Sequence, residues 1–119
     1  MFHRDKDFGV EDGRVNVWVP LTEVWGDNSL WIENAVGTKN YRPVQMSPGQ
    51  ALIFDGVNLS HGSKINTTHS TRISFDFRVL PGAGPAIPRL INPSFVIIER
   101  FELKDPMQFK RLPSVPPAV

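Results

Sequence analysis

The sequence predicts an all-β domain, a sandwich or barrel of short strands. Three observations predict it. Short runs rich in β-branched and aromatic residues recur along the chain. Proline and glycine, 11 and 9 of them, punctuate it at short intervals. No segment carries a helical period. In chain order the runs are RVNVWVPL (14–21), NSLWIENA (28–35), YRPVQM (41–46), QALIFDG (50–56), RISFDFRVL (72–80) and SFVIIERFEL (94–103). The connector GAGPAIPRL (82–90) interrupts the pattern, and the tail LPSVPPAV (112–119) reads as extended or disordered. The expected organisation is a β core over 1–80, a connector and C-terminal strand over 81–110, and the tail over 111–119.

Composition narrows the function. The chain has 119 residues, 40% hydrophobic and 21% charged, which suits one globular domain. A net charge of +1 without a basic block gives no reason to expect nucleic acid or a membrane surface. No apolar run approaches the roughly 18 residues of a membrane span. The start, MFHRDKDFG, is charged from its fourth residue and does not read as a signal peptide. There is no cysteine, so disulfides and thiolate metal sites are excluded, and a cytoplasmic location fits.

The candidate chemistry lies in three places. HRD places His3 and Asp5 two residues apart, on one face if that segment is extended. A third metal ligand must come from elsewhere, and His61, in SHG, is available. Two histidines and one carboxylate make the facial triad of non-haem Fe(II) oxygenases, although these residue types also suit zinc or manganese. His69, in NTTHST, reads as a loop histidine. Beyond His61, strand alternation puts Arg72, Ser74, Asp76 and Arg78 on one face and Ile73, Phe75, Phe77 and Val79 on the other. A planar guanidinium grips a carboxylate bidentately, and Ser74 would donate beside it. The plainer role for Arg72 is an ion pair with Asp76. Gly62 allows close backbone approach beside the site.

HRDKDFG, NVWVPLTEVWGDNSLWIE, MSPGQALIFDG and SHGSKINTTHSTRISFDFRV together resemble the Fe(II)/2-oxoglutarate-dependent oxygenases. Within them the likeness is to the phytanoyl-CoA-dioxygenase-like branch and its streptomycin-biosynthesis-oxygenase-like proteins, over about residues 2–80. The resemblance implies a double-stranded β-helix, a cupin-like jelly roll with the metal inside. It implies that His3, Asp5 and His61 ligate Fe(II), and that Arg72 and Ser74 hold 2-oxoglutarate. It places Asn16 and Trp18 at the pocket wall, with Trp31 and Asn66 as secondary candidates. Two departures stand out. Val10 and Arg14 occupy places where such relatives carry a histidine and a glutamate. The sequence starts two residues before the HxD motif, where such relatives carry a first strand and covering helices, so the expectation is a fragment or a fold completed some other way.

The expected function is oxidation of a small molecule, with 2-oxoglutarate converted to succinate. The alternatives are a cupin-like module that holds a metal or anion without oxidation, and an inactive truncated oxygenase. The apolar face of Ile73, Phe75, Phe77 and Val79 is expected to lie outside the β-helix. Two coverings are open, residues 94–103 folding back on their own sheet or packing on or pairing with a neighbour, and the expectation leans to the second, a homodimer.

Overall fold

The computed structural model describes residues 1–80 and 95–100. The expected connector at 82–90 and tail at 112–119 lie outside the described residues. The expected strand runs each hold a strand: β2 (Val15–Pro20), β3 (Trp31–Glu33), β4 (Tyr41–Pro43), β5 (Ala51–Phe54), β7 (Ser74–Val79) and β8 (Phe95–Ile98). Two further strands were not expected, β1 (Phe2–His3) and β6 (His61–Gly62). They are too short to show any alternation.

The strands form two antiparallel sheets of four, ordered β1-β6-β3-β4 and β7-β2-β5-β8. No α-helix occurs among the described residues, and none of them forms a helix long and apolar enough to cross a membrane. The architecture is that of a β-sandwich. Its core is built from both sheets: Ile32 of the first meets Trp18, Leu52 and Phe54 of the second, with Val24, Leu30, Val44, Met46 and Leu59 between. Alternation along β2 explains which side chains enter. Trp18 joins this core, whereas Val17 and Val19 join a second apolar cluster with Ala51 and Ile53 of β5. The second sheet is therefore apolar on both faces. On its outer face Phe75 and Phe77 are 46% and 41% exposed, the side expected for them once the polar face of the strand is assigned to the pocket.

Strand β8 pairs antiparallel with β5 of its own chain, Phe54 facing Phe95 and Ala51 facing Ile98. That part of residues 94–103 therefore closes on its own sheet, and this pairing asks for no second subunit. The expected start of the strand after His61 also shifts. It begins at Ser74, so Arg72 stands just before it, although Leu21 N still donates to Ile73 O at 2.7 Å.

The pairing of β1 with β6 decides the site, because it sets His3 opposite His61 and Phe2 opposite Gly62. Gly62 permits this approach: a Cβ there would collide with the Met1 carbonyl and lie 3.0 Å from Phe2 Cα. The obstacle is backbone, so it cannot swing aside. Gly62→Ala should push β1 off β6 and cost about 1–3 kcal/mol, as overpacked sites do. The checks are a melting temperature lower by several degrees and faster amide exchange confined to β1, β6 and their neighbours.

Candidate metal centre

His3 comes from β1, and Asp5 opens the 3-10 turn Asp5–Phe8 that follows. The extended HxD expected from sequence thus holds for His3, while Asp5 has already turned. Arg4 and Asp7 close this turn, with Arg4 Nη2 donating to Asp7 Oδ1 at 2.9 Å. Gly9 ends it in the left-handed region at φ 86°. Asp5 N donates to Gly56 O at 2.8 Å, which ties the turn to the loop after β5.

The three expected ligands converge. His3 Nε2 lies 3.4 Å and His61 Nε2 3.3 Å from the same oxygen, Asp5 Oδ1. One donor atom from each residue lies within 4.8 Å of the other two. Donors on adjacent positions of an ion with bonds of about 2.1 Å stand about 3 Å apart, so the spacing suits a shared ion. The hydrogen bonding suits it too. His61 Nδ1 lies 2.8 Å from Leu59 O, and only a protonated nitrogen can bond a carbonyl. In the neutral ring Nε2 is then a bare acceptor aimed at a carboxylate oxygen, a repulsion that a cation between them removes. Phe54 packs edge-on against the His61 ring, centroids 5.0 Å apart.

Asp5 is 2% exposed, and its other oxygen is fully engaged. Oδ2 accepts from Asn16 Nδ2 at 2.8 Å and from Arg78 Nε at 3.0 Å. Burial by itself would raise the Asp5 carboxyl, but the bonds from Asn16 and Arg78 and the charges of His61 and Arg78 outweigh it and hold it below 3.8. Asn16 is itself 1% exposed, and among the described residues its Oδ1 has no partner. A buried acceptor left so costs about 1–3 kcal/mol.

These groups open into a cavity of ≈ 370 Å3 whose wall includes Trp18, Leu30, Phe54, Ser63, Arg72, Ser74, Asp76 and Arg78. Arg72 does not pair with Asp76. Its Nη1 donates to Asn28 O and its Nη2 to Ser63 Oγ, both at 3.0 Å, and its guanidinium sits 5.5 Å from the centre of the Trp18 ring. Burial lowers its pKa, yet an arginine stays charged. Among the described residues no carboxylate pairs with it.

Six of the expected site residues, His3, Asp5, His61, Trp18, Arg72 and Ser74, thus share one cavity. Asn16 does not line it but stands behind Asp5. Trp31 is elsewhere, its ring under Lys64 Nζ at 3.6 Å. Asn66 organises a loop, donating to Ser70 O and accepting from Thr68 N. His69 lies in that loop at φ 62°. The residues missed as site members are Arg78, Asp76 and Ser63. The first two were signalled by their place on the Arg72 face. The other buried carboxylate, Glu33, accepts from Lys39 N and Ser60 N and holds loops together.

Burial lowers the His61 pKa below 6.5, more than the Leu59 carbonyl and the Asp5 charge raise it. A base with a depressed folded pKa contributes fully above its unfolded value and less as pH falls below it. Thermal melts of the metal-free chain should therefore lose stability on acidification below pH 6.5. Asp5 adds a second loss below about pH 3.8, once its lowered pKa is approached. A His61→Gln chain should melt nearly independently of pH across the first window, and an unchanged slope would exclude His61 as its source.

The streptomycin biosynthesis protein StrG of Streptomyces griseus is 45% identical to the chain over 80 residues, which are 67% of this chain and 37% of that protein. The chain therefore spans little more than a third of the length of the curated relative it matches. No protein-family model matches the chain. No solved structure matches it either. What is established is a partial relationship to a streptomycin biosynthesis protein, in a β-sandwich whose His3–Asp5–His61 cluster, with Asp5 and His61 buried and His3 half-buried, could hold a metal ion.

Proposed function

We propose that the chain carries the metal and cosubstrate site of an Fe(II)- and 2-oxoglutarate-dependent oxygenase on a double-stranded β-helix. The observation that carries this is the meeting of His3 and His61 on one oxygen of buried Asp5, in a cavity that also holds Arg72. Two imidazoles and a carboxylate fit Fe(II) and leave neighbouring positions for a chelating keto acid and dioxygen. Arg72 is a partly buried cation without a counter-ion among the described residues, so a dicarboxylate entering the cavity would supply one, and Ser74 would donate beside it. The backbone of Asn28 and the hydroxyl of Ser63 hold the guanidinium in place beforehand, which lowers the entropy cost of binding. Trp18 and Phe54 supply apolar wall, which shields the site from water.

When bound, the iron and keto acid supply the oxidation: dioxygen gives one atom to succinate, as carbon dioxide leaves, and the other to a substrate C–H bond. The chain binds and orients these partners and keeps solvent away. The relative's part in streptomycin biosynthesis is in keeping with a small-molecule substrate.

Under Fe(II) and air, the chain should convert 2-oxoglutarate to succinate slowly even without a substrate. A module that only holds metal would leave the keto acid intact. Arg72→Lys keeps charge but loses the fork. A charge-assisted contact of about 1.5–3 kcal/mol would be weakened, so the 2-oxoglutarate Kd should rise about tenfold or more. Calorimetry with Mn(II) in place of iron measures this without turnover, and an unchanged Kd would leave Arg72 a purely structural cation.

A further inference from the structure

The proposed oxygenase needs three free positions on its ion, two for the keto acid and one for dioxygen. An octahedral ion has three left only if each protein ligand makes a single bond. His3 and His61 can make no more than one each. A carboxylate can make two, as it often does toward larger ions. What keeps Asp5 to one bond is then a functional question, and the surroundings of its second oxygen answer it.

We infer that Asn16, Arg78 and Gly56 form a positioning device that holds Asp5 to a single metal bond and so sets the number of free positions at the ion. The inference rests on the metal site proposed above. Asn16 and Arg78 are directly opposed across β2 and β7, so one cross-strand pair delivers both donors. Both reach Asp5 Oδ2, at 2.8 and 3.0 Å, while Oδ1 alone faces the two imidazoles. With two N–H groups on it, Oδ2 has no lone pair directed at the metal. The orientation of the Asn16 amide follows from the same contact, since the flipped form would set oxygen against oxygen.

Two features separate this from ordinary packing. Asn16 keeps its Oδ1 buried without a partner among the described residues. An aliphatic side chain of the same size would fill the place without that penalty, so the amide is accounted for by its donor. Gly56 makes the room: a Cβ there would fall 2.5 Å from Asn16 Nδ2 and 2.7 Å from its Cγ. Gly56 also accepts the Asp5 N–H at 2.8 Å, so one residue fixes the Asp5 backbone and clears space for the group that fixes its side chain. Asn16, Gly56 and Arg78 are positioning residues; none need touch the ion.

The test is a Co(II) titration of the full chain followed by visible absorption, which responds to coordination number, with melting of each metal-free variant alongside. Asn16→Leu removes the donor and the orphaned acceptor together. It should lower the metal-free melting temperature, because buried Asp5 loses one of its partners, and in the folded chain weaken Co(II) about 10–100-fold and change the spectrum. Arg78→Met, at a side chain 44% exposed, should act in the same direction, and Arg78→Lys should recover part of the loss. If Asn16→Leu fails to fold, the arginine pair still decides. Wild-type affinity and spectrum in both Asn16→Leu and Arg78→Met would overturn the inference while leaving the metal site intact. A wild-type chain that binds no Co(II) would remove the metal site itself, and this inference with it.

Discussion

A carboxylate buried to 2% exposure has to be compensated, and the compensation of Asp5 joins the two sheets of this molecule. His3 and His61 reach it from the first sheet, and Asn16 and Arg78 from the second. The loop after β5 holds its backbone through Gly56. Removing one partner of such a charge commonly costs about 3–5 kcal/mol, because the other is left desolvated. The same convergence that makes a ligand set therefore also fixes how the sheets sit at this end of the sandwich.

The cavity beside Asp5 is electrostatically uneven. Its inner end holds a carboxylate and two imidazoles, whereas Arg72 brings a charge bonded, among the described residues, to a carbonyl and a hydroxyl. Trp18, Leu30 and Phe54 give it apolar walls that weaken screening between these groups. A ligand with unlike ends would enter one way round. Such polarity requires Arg72 to remain unpaired with Asp76, and the structure achieves this by turning its guanidinium toward Asn28 and Ser63.

Much of this was legible in the sequence where periodicity is strong. The alternation of RISFDFRV separates an apolar face from a polar one, and that of VNVWV sets Asn16 and Trp18 on one face, while which face turns inward followed from the family resemblance. The strands at Phe2–His3 and His61–Gly62 were not legible, because two residues carry no period and their pairing depends on contacts distant in sequence. Asn16 was placed on the correct face but at the wrong depth. Alternation gives a side, and only the neighbours decide whether a side chain lines a cavity or lies behind it. Likewise nothing local announces that Gly56 makes room for an amide forty residues earlier: it lies in the turn after β5 without a positive φ, and the demand for glycine there is one of space.

The register of β1 against β6 has a consequence for a chain without cysteine. Only two residue pairs hold β1 in place, so its attachment by hydrogen bonds alone is slight. An ion bonded to His3 and His61 would be a cross-link closing a loop of about 60 residues. Closing such a loop in the unfolded chain removes entropy worth about 4 kcal/mol on the chain-entropy model used for disulfides. Unlike a disulfide, this clasp would open to a chelator and close again on metal, so strand β1 would be fastened or released by the supply of metal.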